Sequence, residues 1–155
     1  MNNMMEGDGV QNSGILKKNH SIICSFLIKQ KFPTQKIGLH SILIPVGIIK
    51  GIKKNIDENL SIKWPNDIIF ENKKLGGILI ETKTFNNSIY LNVGIGINVN
   101  EKITDFPEEI KQSATSLKII SKQDIQREIL LANILNLIYN CYLFISNILF
   151  LAYGS

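Results

Sequence analysis

The chain has 155 residues, a hydrophobic fraction of 45% and a formal net charge of +4. That length holds one core of ordinary size, and that apolar content excludes a disordered chain. The basic excess is mild, with a pI near 9.0, and the lysines are scattered, so no nucleic-acid partner is expected.

Residues 1–20 are polar and rich in Gly and Asn, and read as a loop or frayed end ahead of a core spanning 21–155. The opening "MNNMMEGDGV" lacks the basic flank and apolar centre of a signal peptide. "SIICSFLIK", Ser21 to Lys29, is β-branched and aromatic and predicts a strand. In the next segment Thr34 can cap a helix, with Ile37, Leu39, Ile42, Leu43, Val46 and Ile49 as its apolar stripe. Pro45 and Gly47 lie inside it, which predicts a kink or break.

"LSIKW" predicts a short strand and "PND" a turn. Then follow the strand "DIIF", a hairpin turn "ENKK", the strand "LGGILIETKT", a turn "FNNS" and the long strand "IYLNVGIGINVN". Residues 101–114 read as a loop, "ATSLKII" as a short helix, and Ser121 with Asp124 as a weak capping box opening a last helix near Lys122. The fold class is α+β: a mostly antiparallel sheet with helices packed on one face.

The tail from Ile129 to Tyr153 carries no charge and is long enough to span a bilayer. Asn133, Asn136, Asn140 and Asn147 interrupt it at helical spacing, roughly on one face, so the expectation is an amphipathic helix packed on the sheet. A membrane-associated protein is the alternative. Cys24 and Cys141 are far apart among apolar residues and read as buried free thiols in a reducing, cytoplasmic setting. With no CxxC pair, a thiolate zinc site is not expected.

Three stretches carry candidate chemistry. In "KWPNDIIF", Asn66 and Asp67 sit at a turn between strands, where a carboxylate beside an amide suits hydrated Mg²⁺ and a nucleotide's phosphates. In "KKLGGILIE", Lys74 precedes Gly76 and Gly77, so a point charge stands beside backbone that a ligand can approach. In "NVGIGINVN", Gly94 and Gly96 alternate along a strand with Asn98 on the same face. Each has a plainer reading: a simple turn, solvated lysines, a bulge or tight packing. No phosphate-binding P-loop or dinucleotide fingerprint is present. His20 and His40 read as a loop and a helix residue. Spacing alone stops at an anion or nucleotide site on a sheet.

Taken together, "KWPND", "KKLGGILIE", "VGIGINVN" and "ATSL", in this order and at these distances, resemble the catalytic domain of biotin protein ligase. The likeness is close over Ser61 to Leu117 and weaker over Ser21 to Asn55. Lipoate ligases share the fold but not the pair "KWPND" and "GIGIN". The resemblance implies ATP-dependent ligation of biotin, through biotinyl-5'-adenylate, to a lysine of a carboxylase's biotin carboxyl carrier domain. It implies Lys74 as the active-site lysine, Asn66, Asp67 and Asn98 as ATP-binding residues with Asp67 also toward Mg²⁺, and Lys63 as a second phosphate charge. Gly76, Gly77, Gly94 and Gly96 would floor the biotin and adenylate site, while Trp64 and Pro65 shape the turn. Gln11 and Gly14 in "QNSG" resemble the start of the biotin-binding segment, Gln11 toward the ureido ring.

The chain departs from the family after Gly14. The family's arginine-rich glycine loop is replaced by "ILKKNHS", where Lys17 and Lys18 lack the bidentate fork of arginine. The small C-terminal barrel of many relatives and an N-terminal DNA-binding segment have no counterpart here. The expectation is therefore a ligase impaired by truncation, with a non-catalytic remnant that binds nucleotide weakly as the alternative. A homodimer, as in many relatives, is also within what the resemblance allows.

Overall fold

A computed structural model of the chain describes residues 20–30 and 34–153. Among these residues five strands form one sheet: β1 (Ile22–Lys29), β2 (Ser61–Lys63), β3 (Asp67–Phe70), β4 (Lys73–Phe85) and β5 (Ser88–Ile97). Their order is β1-β5-β4-β3-β2, and every neighbouring pair is antiparallel. The described residues also hold three α-helices: α1 (His40–Lys53) between β1 and β2, and α2 (Leu117–Ser121) and α3 (Arg127–Tyr153) after β5. The expected α+β class and meander are what the structure has.

Two-residue turns make the meander. Glu71 and Asn72 connect β3 to β4 with φ of 46° and 66°, and Asn86 and Asn87 connect β4 to β5 with φ of 45° and 58°. Paired positive φ matches the twist of a tight hairpin, and asparagine tolerates it better than most residues. The "ENKK" turn is thus shorter than expected, because Lys73 and Lys74 already belong to β4.

Alternation assigns the two faces of the sheet. Leu91, Val93, Ile95 and Ile97 of β5 are buried with Ile22, Ile68, Leu75 and Ile78 against Ile44, Ile48 and Ile52 of α1 and Leu130, Ile134 and Ile138 of α3. Fully burying such a side chain contributes about 1.5–3 kcal/mol. The opposite face carries Gly94 and Gly96 and leaves Ile23 and Leu27 exposed.

α1 departs from its sequence reading in two ways. It runs continuously through Pro45, so the expected break is absent, and a 3-10 turn, Thr34–Leu39, leads into it. The buried stripe is Ile44, Ile48 and Ile52, while Ile42 is 63% exposed and Val46 39%. Packing explains the choice of buried face. A Cβ at Gly47 would lie 2.7 Å from the Ile138 Cα, and one at Gly51 would lie 2.5 Å from the Ile134 Cα. The two glycines let α3 approach α1 backbone to backbone, and that contact selects the buried face of a segment that is apolar nearly all round.

α3 starts at Arg127, not near Lys122. Lys122 instead closes α2 in the left-handed conformation, with φ 62°. Asp124 binds Lys118 at 2.6 Å, so the Ser121–Asp124 capping box does not form. The working cap is Ser116, whose Oγ accepts the Ile119 N–H. Along α3, Leu130, Ile134, Ile138 and Tyr142 are buried, Asn133 donates to Asn55 Oδ1 at 3.1 Å, and Asn136, Asn140 and Asn147 are exposed. Among the described residues α3 is the one helix long and apolar enough to cross a membrane.

Candidate active site

The site lies on the sheet face away from the helices, where an irregularity of β4 gathers its charges. Asp67 pairs with Gly77 and Ile68 with Gly76, but Ile69 pairs with Lys74, so β4 carries one residue more than β3 at that point. Strict alternation would put residues 74 and 77 on opposite faces. The bulge reverses that parity and brings Lys74 to the side of Asp67 and Gly77, while Leu75 and Ile68 stay fully buried on the core side. Lys74 Nζ then lies 2.7 Å from Asp67 Oδ1, a charge-assisted contact with both side chains partly open to solvent.

The loop before α2 braces this lysine. Lys74 N–H donates to the Ser113 carbonyl at 2.7 Å, and Thr115 N–H donates to the Lys74 carbonyl at 2.9 Å. Thr115 O in turn accepts from Asn98 Nδ2 at 3.0 Å. One short segment, part of the "ATSL" motif, therefore fixes both the lysine on β4 and the amide that follows β5.

Around these groups is a cavity of about 710 Å³, lined by Asn66, Asp67, Lys74, Gly76, Gly77, Gly94, Gly96 and Asn98, among others. Its floor is bare backbone. Gly77 and Gly96 face each other across β4 and β5. A Cβ at Gly96 would meet nothing within 4 Å, and one at Gly77 would point to Lys74 Cε at 3.8 Å and Asp67 Oδ1 at 3.9 Å. Gly76 differs: a Cβ there would come within 2.4 Å of the Gly96 carbonyl oxygen. Its backbone lines the cavity, but tight packing beside the bulge is what requires a glycine.

The structure brings together Lys74, Asn66, Asp67, Asn98 and the four glycines. It does not bring Lys63 to them. That residue pairs with Asp67 from edge strand β2, one strand further out, and is exposed beyond the cavity lining. Trp64, expected to shape the turn, is 80% exposed, and the Trp64–Pro65 peptide is cis. Gln11, Gly14, Lys17 and Lys18 lie outside the described residues.

Sequence reasoning missed the walls. Ser21, Ile23, Ser25 and Leu79 also line the cavity. Their signal was parity: with β1 beside β5, Ile23 and Ser25 pair with Gly96 and Gly94 and share their face. Cys24, also at the cavity, is half-buried, and burial pushes its thiol above the ordinary range, away from nucleophilic character.

An antiparallel sheet is thus backed by two long helices and carries a lysine–carboxylate pair over a glycine floor on its other side. The chain belongs to the Biotin/lipoate A/B protein ligase family, whose model matches residues 6–100. It is similar to the bifunctional ligase/repressor BirA of Bacillus spizizenii, 36% identical over 120 residues that cover 77% of this chain and 37% of the relative. Among solved structures it resembles biotin protein ligase from Aquifex aeolicus, with a TM-score of 0.70 and 30% identity over 83% of this chain and 55% of that one. The same Aquifex aeolicus enzyme in complex with biotin and ATP matches at a TM-score of 0.66 and 31% identity, over 79% of this chain and 50% of that one. The chain thus spans about a third to a half of the length of these relatives.

Proposed function

We propose that this chain is the catalytic core of a biotin–protein ligase that activates biotin with ATP and transfers it to a lysine of a carboxylase carrier domain. The observation that carries the reading is the Lys74–Asp67 pair, 2.7 Å apart, in a cavity floored by Gly77 and Gly96. The likeness to a relative held in complex with biotin and ATP supports it.

In the first step a biotin carboxylate oxygen attacks the α-phosphorus of ATP. The bond from that phosphorus to the bridging oxygen breaks, and pyrophosphate leaves with the electron pair. Two anionic groups must meet, so a fixed cation between them lowers the barrier. Lys74 supplies it, and Asp67 holds the ammonium in place. Gly77, Gly94 and Gly96 let the adenylate lie against the sheet, with Ile23 and Leu79 as apolar walls for biotin's alkyl chain. Asn66 and Asn98 orient the nucleotide. One carboxylate and one amide suit a Mg²⁺ that arrives on the phosphates and keeps most of its water, not one caged by protein alone. Such an ion, when bound, neutralises phosphate charge. In the second step the acceptor lysine's neutral amine attacks the acyl carbon, the anhydride C–O bond breaks, AMP leaves and the amine's proton passes to solvent.

The test is to incubate the chain with ATP, biotin and a carrier domain and to probe for biotinylated carrier. The reading expects product with the wild-type chain and none with Lys74→Ala. Absence of product in both, with the carrier shown competent by another ligase, would overturn it.

A further inference from the structure

The cavity has a second set of supports that the reaction above does not use, gathered where β1 begins. Ile22 pairs with Ile97, so the ladder brings Ser21 across from Asn98, and both line the cavity. Three hydrogen bonds hold this corner, with a histidine beside an aspartate next to them. Asn100 N–H donates to the His20 carbonyl at 3.0 Å, and the Ser21 hydroxyl donates to Glu101 Oε1. Arg127 Nη1 donates to the Ser21 carbonyl at 3.0 Å from the first turn of α3, and His20 Nδ1 lies 3.5 Å from Asp105 Oδ2. Glu101 is 4% exposed, and its carbonyl also accepts the Ser116 hydroxyl at 2.6 Å. Asn100 binds Ile125 through both ends of its amide, at 2.9 Å each, which fixes the approach to Arg127.

A buried carboxylate and the chain's one arginine are costly means of tying a strand end. A strand at a protein's margin needs only its ladder bonds to pair, yet its end frays unless something ties it down. Here the tie coincides with the cavity wall opposite Asn98. We propose that Arg127 and Glu101 are positioning residues for the nucleotide end of the site, acting through Ser21. Rigid in advance, this wall does not have to be ordered when ATP binds. Lys74 and Asp67 sit on β4 and β3, beyond β5, so loosening the corner weakens ATP binding and leaves the reacting groups in place.

The inference rests on the proposed ligase reading, and its test separates the two. Arg127→Ala and Glu101→Ala should each raise the KM for ATP by about tenfold while kcat stays within about twofold, the pattern of lost ground-state binding. Arg127→Lys keeps one donor for the Ser21 carbonyl, and Glu101→Gln keeps one acceptor for its hydroxyl, so both should restore most of the affinity. Titration with ATP followed by the fluorescence of Trp64, the chain's one tryptophan and a neighbour of Asn66, reads the same shift in Kd without turnover. Alanine variants that lose thermal stability and active fraction but keep KM and Kd would overturn the proposal and leave a fold-supporting tie. A wild-type chain that binds ATP without making product would contradict the ligase reading alone, with Kd still testing the clamp. A wild-type chain that does not bind ATP would overturn both.

Discussion

Gly76 and Gly96, close together on neighbouring strands, are glycine for opposite reasons. At Gly76 an added methyl has no room beside the Gly96 carbonyl oxygen, so Gly76→Ala should lower unfolding free energy by about 1–3 kcal/mol, as measured by urea denaturation. At Gly96 the methyl enters open cavity. Gly96→Ala should therefore fold with stability equal to the wild type or higher by about 0.5–1 kcal/mol, yet bind biotin and ATP more weakly in calorimetric titration. Lys74 gives the matching contrast in charge. Its ion pair with Asp67 is partly solvated, and such pairs are worth about 0–1 kcal/mol of stability. Lys74→Gln should thus melt close to the wild type while slowing adenylate formation by about 10²–10³, the usual loss for one removed transition-state donor.

The strands were legible because their signals are local. Period-two alternation and the Asn-bearing turns at Asn72 and Asn86–Asn87 mark where each strand stops, and three short motifs sit at the strand ends that face one cavity. The buried face of α1 was not legible, because Ile42, Ile44, Val46 and Ile48 are equally apolar. The choice among them is made by α3, some 90 residues away, closing on Gly47 and Gly51. The bulge that turns Lys74 toward Asp67 was legible only in part: the glycines of "KKLGG" allow a bulge, but its exact place and the side to which it turns Lys74 depend on how β4 pairs with β3. Nor did sequence spacing expose the tie between Arg127 and Ser21, which are 106 residues apart. The helix seam carries its own prediction. Gly51→Ala puts a methyl 2.5 Å from the Ile134 Cα, where backbone cannot yield as a side-chain tip can. Helix propensity favours that alanine by about 1 kcal/mol, and forced separation of the helices should outweigh it, for a net loss of about 1–2 kcal/mol.

For the molecule as a whole, the sheet divides labour: one face binds the helices that stabilise it, the other is left free for the cavity. Acid should undermine the first through His40, which is buried where α1 begins, 5.7 Å from the Tyr142 ring of α3. Burial lowers its pKa below the ordinary 6.5, and the hydrogen bond to the Ile37 carbonyl only partly offsets this. As pH falls, the unfolded chain takes up this proton before the folded one does. The stability due to the neutral imidazole is therefore present above pH 6.5 and lost as pH falls toward and through the lowered folded value. Denaturation midpoints of the wild type should drop across that window, and the difference from His40→Asn should shrink with them.

The central claim concerns the other face, where Lys74 and Asp67 over bare backbone are held to join a carboxylate to the α-phosphate of ATP. The most direct measurement is exchange of labelled pyrophosphate into ATP by the purified chain, with and without biotin. The account predicts exchange that requires biotin and vanishes in Lys74→Ala. Exchange that ignores biotin, or that survives loss of Lys74, would contradict it.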